Sequence, residues 1–113
     1  MKWNVEFYTD ANGVKPVKVW LMGLDEHARA VVMRNIALLE ELGIGIREPY
    51  VKALGGKLYE VRAKDHKGIY RVIYFAHTGK RFILLHGFVK KTQKTQRKEI
   101  ELAKKRMQEL QDE

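Results

Sequence analysis

The stretch from His86 to Ala103, HGFVKKTQKTQRKEIELA, is the part of this chain best suited to chemistry. An aromatic and aliphatic strand pattern ends there. Five cations follow, Lys90, Lys91, Lys94, Arg97 and Lys98, with no carboxylate among them. Cations crowded at the mouth of a sheet repel one another and are costly to bury unpaired. They suit a polyanion, of which nucleic acid is the commonest. A solvated basic loop that only keeps the protein soluble accounts for the same charges.

Two strand patterns carry further candidates. In LYEVRAK, side chains alternate between faces. Tyr59, Val61 and Ala63 are assigned to the core, and Glu60, Arg62 and Lys64 share the other face. In GIYRVIYF, Arg71 stands alone in an apolar run, where a cation seldom sits without a partner or a task. One reading is a cross-strand ion pair between Glu60 and Arg71, worth a few tenths to about 1 kcal/mol. His86 closes the last strand. Cationic neighbours favour its neutral ring, which can serve as a general base; a strand histidine that is merely hydrogen-bonded is the plainer reading. His27, His66 and His77 show no metal-ligand spacing, so no zinc site is expected. The chain has no phosphate-cradling glycine loop and no G-x-S-x-G elbow. Asp10, Asp25 and Asp65 fall at turns or caps. Trp3 and Trp20 read as core. Tyr59, Tyr70 and Tyr74 suit a sheet, and an exposed one could stack on a base.

These residues must be positioned by a single domain spanning 1–113. Hydrophobic content of 45% fits a packed globule. The formal charge is +8, and the pI of about 9.8 suits nucleic acid, an acidic protein or an anionic surface. No apolar run is long enough to cross a bilayer. MKWNVEFYTD lacks the pattern of a signal peptide. The chain has no cysteine, which removes disulfides and thiolate metal sites and fits a cytoplasmic location.

The pattern over Lys2–Tyr8 predicts a first strand. Pro16 suits the first turn of a short helix whose Val17, Trp20, Leu21 and Leu24 share a face. Asp25 predicts the N-cap of a second helix with an apolar stripe at Ala28, Val32, Ile36, Leu39 and Leu42, ending at Gly43. Gly45–Gly56 reads as a loop. Strands are expected at Leu58–Lys64, Ile69–Ala76 and Phe82–Val89, joined by short Gly-bearing turns. A last helix begins near Thr95, with Ile100, Ala103, Met107 and Leu110 inward. The fold class is α+β: an N-terminal strand, a helical hairpin, an antiparallel three-stranded meander and a C-terminal helix. The hairpin should cover one sheet face, and the first strand should return as an edge.

The series LGGKLYEVR, GIYRVIYF, ILLHGFVKKTQKT and EIELAKKR resembles, in order and spacing, the HigB-type, phage-derived branch of the RelE/ParE toxin superfamily. The resemblance covers Leu54 to Arg106, and the preceding strand and helices fit the same RelE-like layout. It implies a small basic toxin of a toxin–antitoxin pair, an mRNA interferase that cuts messenger RNA in the ribosome without a metal or other cofactor. It implies a cognate antitoxin, often a helix-turn-helix protein, and a complex that binds operator DNA. Arg71 matches the family's principal active-site arginine, Arg62 a functional cation on the preceding strand, and Lys90 and Lys91 the basic pair after the last strand. RelE itself has a further lysine where this chain has Glu60, and a tyrosine on its last helix where this chain has none. The branch often has proline where this chain has Gln96.

The expected mechanism follows. Arg62 and Arg71 meet the charge that builds on a phosphoryl group attacked by the RNA 2′-hydroxyl. Lys90 and Lys91 hold flanking phosphates, and Glu60 or His86 takes the proton. Lys57, Lys64, Lys94, Arg97 and Lys98 extend the RNA-binding set. A ParE-like gyrase inhibitor on the same scaffold and a non-catalytic nucleic-acid-binding module remain the alternatives, since function lies in the grafted site.

Overall fold

The computed structural model describes residues 3–46, 48–90 and 92–111. The order is β1 (Asn4–Phe7), α1 (Pro16–Gly23), α2 (Glu26–Leu42), a 3-10 turn (Gly43–Gly45), β2 (Val51–Gly55), β3 (Leu58–Lys64), β4 (Ile69–His77), β5 (Arg81–Val89) and α3 (Arg97–Gln111). Local chemistry sets most boundaries. Pro16 opens α1. The Asp25 carboxylate accepts from the Ala28 N–H at 2.9 Å and caps α2. Gly43 ends α2 with φ +56, and a Cβ there would lie 2.6 Å from the Trp3 ring.

The strands form one five-stranded sheet in the order β1-β5-β4-β3-β2. The meander is antiparallel, as expected. β1 returns as an edge strand, parallel to β5. One expectation is corrected: Gly45–Gly56 is not all loop, because Val51–Gly55 pairs antiparallel with β3. Of its five residues only Val51 is buried, so the segment shows no strand periodicity.

Helices cover both faces. α1 and α2 pack on Val61, Ala63, Val72, Tyr74, Phe82 and Leu84. α3 lays Ala103 and Met107 over Leu58, Ile73, Phe75, Ile83 and Leu85 on the opposite face. Each large apolar side chain buried this way contributes about 1.5–3 kcal/mol before the entropy of ordering. Leu42 falls off the predicted stripe and is exposed, and Tyr59 is exposed at the sheet margin. No helix among the described residues is long and apolar enough to cross a membrane.

One irregularity aims the site. Tyr74 pairs with Leu84 but Ile73 pairs with His86, so Leu85 is an extra residue in β5. Before this bulge Ile83 and Leu85 point to α3; after it His86 and Phe88 do. Gly87 then faces α1, where a Cβ would lie 2.3 Å from the Trp20 ring. The His-Gly pair of HGFV thus places an imidazole under α3 and makes room for an indole behind it.

Candidate nucleic-acid and acid–base site

On the α3 face of the sheet, β3 and β4 bring Glu60, Arg62 and Arg71 together. Arg62 pairs with Arg71 in register, and Glu60 lies two residues back on the same face. Glu60 is fully buried and Arg71 only 2% exposed. Glu60 Oε1 accepts from Arg62 Nε at 3.1 Å and from Arg71 Nη1 at 3.2 Å. Its Oε2 accepts from the Thr95 hydroxyl at 2.6 Å. That hydroxyl also accepts from Arg71 Nη1 at 2.5 Å, and Arg71 Nη2 donates to the Gln93 carbonyl at 3.0 Å. Arg71 Nε is buried without a hydrogen-bond partner. Burial lowers the Arg71 pKa, the Glu60 charge opposes that drop and the Arg62 charge adds to it. The group stays cationic at neutral pH.

The cross-strand ion pair therefore forms, but in the interior rather than on the surface. Its energetics change accordingly. A surface pair is worth little, whereas stripping one partner from a buried pair costs about 3–5 kcal/mol. The face opposite Val61 and Ala63 is therefore also interior at Glu60, where the segment before α3 closes over it through Thr95 and Gln93. With three donors on its two oxygens, Glu60 is an anchor for two guanidinium groups and not an open carboxylate awaiting a proton.

Above this anchor lies a narrow cleft with Arg71 at its floor. The end of β5 supplies Phe88, Val89 and Lys90, the following loop supplies Thr92, Lys94, Thr95 and Gln96, and α3 supplies Glu99. His86 stands beside it, its Nε2 3.0 Å from Glu99 Oε1. Both groups of this pair are largely but not wholly buried, at 16% and 19% side-chain exposure. The imidazole stacks on Phe88 with ring centroids 5.2 Å apart. Sequence reasoning passed over Glu99. The available signal was its place in the first turn of a helix three residues after the basic loop.

The other predicted residues distribute unevenly. Lys90 is half-buried at the rim, with Nζ 3.4 Å from Gln93 Oε1, and Lys94 is exposed on the same rim. Lys91 lies outside the described residues. Arg97 is exposed, 3.9 Å from Glu101, in a shallow groove continuing past Thr92 and Lys94. Lys98 is exposed on the first turn of α3. Lys64 is exposed at the end of β3, in a separate depression shared with Arg62, Asn35 and Tyr50. Lys57 is not brought to the cleft. It precedes β3 at the opposite end, about 20 Å away by strand rise. No tyrosine of the sheet lines the cleft: Tyr59 stacks on Tyr74 at 5.9 Å, and the buried Tyr70 donates to Asp65. Phe88 is the ring available there for stacking.

A second polar cluster lies away from this cleft. His27, Asp65 and His66 place one ligand atom each within 4.8 Å of one another. Spacing along the chain gave no such set, because α2 and the β3–β4 turn are 38 residues apart.

The cleft thus gathers Arg71, Lys90 and Lys94, with an imidazole–carboxylate pair beside it. No curated protein matches the chain. The model of one family, described as "Phage derived protein Gp49-like (DUF891)", matches residues 19–108, which hold every residue of the cleft. The chain therefore belongs to the Gp49-like phage-derived family, a toxin-like family of RelE/HigB type in toxin–antitoxin systems, whose implied partner is an antitoxin.

Proposed function

We propose that this chain is a HigB-type toxin of a type II toxin–antitoxin pair, acting in the cytoplasm as an endoribonuclease on ribosome-bound messenger RNA. The observation that carries the reading is the meeting of Arg71, Lys90, Lys94 and the His86–Glu99 pair around one cleft. The chemistry is internal transfer. The 2′-hydroxyl of one nucleotide attacks the adjacent phosphorus, the P–O5′ bond breaks, and a 2′,3′-cyclic phosphate and a 5′-hydroxyl result. The His86–Glu99 pair takes the 2′-hydroxyl proton, and Glu99 orients the imidazole and stabilises its cationic form. Lys90 protonates the departing oxygen and, with Lys94 and Lys91, holds the flanking phosphates. Arg71 meets the phosphoryl charge when a phosphate oxygen replaces the Gln93 carbonyl on Nη2. Glu60 and Arg62 hold Arg71 in place. The reacting phosphate is served by these fixed cations without a metal. A helix-turn-helix antitoxin covers the basic rim, and the pair binds operator DNA.

Burial dictates the choice of variants. Arg71→Ala disturbs the interior and cannot by itself report on catalysis. Lys90→Ala with Lys94→Ala, and separately His86→Gln, keep the core intact and can be verified by circular dichroism. Induced expression followed by mapping of messenger RNA 5′ ends should show cleavage for the native chain and at least a tenfold loss for each variant, in line with the 10²–10⁴-fold usual for acid–base groups. Undiminished cleavage by both would remove the reading. Inhibited supercoiling by purified gyrase, without new RNA ends, would favour the gyrase-inhibitor alternative. Salt-sensitive RNA binding without cleavage would favour a non-catalytic module.

A further inference from the structure

We propose that His27, Asp65 and His66 form a zinc-class divalent cation site that ties the start of α2 to the β3–β4 turn. The site is independent of the cleft chemistry. Three observations carry it.

The first is ligand type. Two imidazoles and a carboxylate are a donor set typical of zinc, with water as the fourth ligand. The second is spacing. Two ligand atoms about 2.0–2.1 Å from a tetrahedral ion lie about 3.4 Å apart. His27 Nδ1 and Asp65 Oδ2 are 3.4 Å apart, which is long for a hydrogen bond and right for two ligands of one ion. The His27 and His66 rings lie 5.7 Å apart and tilted by 53°, neither stacked nor parallel. The third is preorganisation. The Asp65 side chain is wholly buried. Its Oδ1 is held by the Lys67 N–H at 2.9 Å, the Gly68 N–H at 3.1 Å and the Tyr70 hydroxyl at 3.1 Å. Oδ2 is left facing the imidazole of His27. This is the outer-shell fixation that metal-binding carboxylates show.

The two imidazoles are exposed, so an ion can enter from solvent and keep a water. The neighbouring cation Lys67 has its Nζ drawn to Asp25 Oδ2 at 2.9 Å. Asp25 is also the N-cap of α2, so the ion, the cap and the turn lie in one continuous polar seam. The turn reaches the main cleft as well: Gly68 shares a depression with Lys90 and Gln93, and the Ile69 carbonyl accepts from the Lys90 N–H at 2.7 Å. A bound ion would therefore steady the strand end against which the basic loop is built.

The test uses untagged full-length protein titrated with zinc chloride by calorimetry, and with cobalt(II) by visible absorption. The expected result is one ion per chain, at least tenfold weaker binding in His27→Ala and in His66→Ala, and no change in His77→Ala. At a hundredfold excess of zinc over Kd the Tm should rise by about 10 °C in the native chain, and by far less in either histidine variant. Both histidines are exposed, so these variants fold, whereas Asp65 is left intact because it builds the turn. No saturable binding, or binding that survives both substitutions or is lost in His77→Ala, would overturn the proposal.

Discussion

Glu60→Gln tests how the interior of this protein is held together. The substitution keeps shape and removes one charge. In the native chain that carboxylate accepts from Arg62, Arg71 and Thr95, two donors on Oε1 and one on Oε2. Neutralising it leaves Arg71, 2% exposed, facing Arg62 across the strand pair with no counter-charge. The amide also turns one acceptor into a donor that must face Thr95 or a guanidinium. An unpaired buried charge of this kind costs about 3–5 kcal/mol. Total stability of a domain this size is about 5–15 kcal/mol, and each kcal/mol moves Tm by about 4 °C. The melting temperature should therefore fall by about 12–20 °C in a thermal denaturation followed by circular dichroism. Adding Arg71→Met should restore part of the loss, because it removes the buried charge that Glu60→Gln leaves without a counter-charge. A double-mutant cycle measures this directly. A loss under about 1 kcal/mol for Glu60→Gln, or strict additivity with Arg71→Met, would mean that the network is screened like a surface pair and that the anchor argument fails.

Gly87→Ala should destabilise by about 1–3 kcal/mol through the forced contact with Trp20, and adding Trp20→Leu should relieve it; urea unfolding of the three variants decides. Asp25→Ala should cost about 1 kcal/mol through the lost α2 cap, read from the same transition. At alkaline pH the phenols of Tyr8, pushed up to about 12 by burial and then by Glu109, and of Tyr74, pushed up by burial, favour the neutral form in the folded state. Their contribution is complete below pH 10 and is lost as pH rises toward and past 12, so stability should decline over that range while ultraviolet titration shows late-ionising tyrosines. At acid pH the reverse holds. Hydrogen bonds hold the carboxyls of Asp25 and Asp65 below the usual aspartate value, Asp65 against its own desolvation. Their contribution is present above about pH 4 and is lost as pH falls below it, so Asp65→Asn should flatten the acid limb of a stability–pH curve.

The elements with strong local signals were legible from residues alone. Pro16, Asp25 and Gly43 each dictate a backbone outcome within one turn, and each stands where its chemistry placed it. The strands β3, β4 and β5 were readable because they are runs rich in aromatic and aliphatic residues joined by short turns. β2 was not, because a five-residue edge strand that buries one side chain carries no period. For the candidate site, residue types and segments could be read, but not their grouping. Arg71 in an apolar run announced a partner, and Glu60 was the partner found. Glu99 was passed over and Lys57 lies away from the cleft, because side chains meet across strand registers and helix faces that a linear pattern does not contain.

The sequence by itself determined the charge of this protein, its α+β class, the order of its elements apart from β2 and the segments that bear its cations. Those properties depend on composition and on interactions within a few residues. Tertiary structure alone decided three matters. The segment leading into α3 closes over Glu60 and Arg71 and makes their pair a buried anchor. The bulge at Leu85 swings His86 to the α3 face and Gly87 to Trp20. The β3–β4 turn meets the start of α2, bringing His27, Asp65 and His66 together. Each of these depends on which distant surfaces pack, and packing is a property of the whole chain rather than of any window along it.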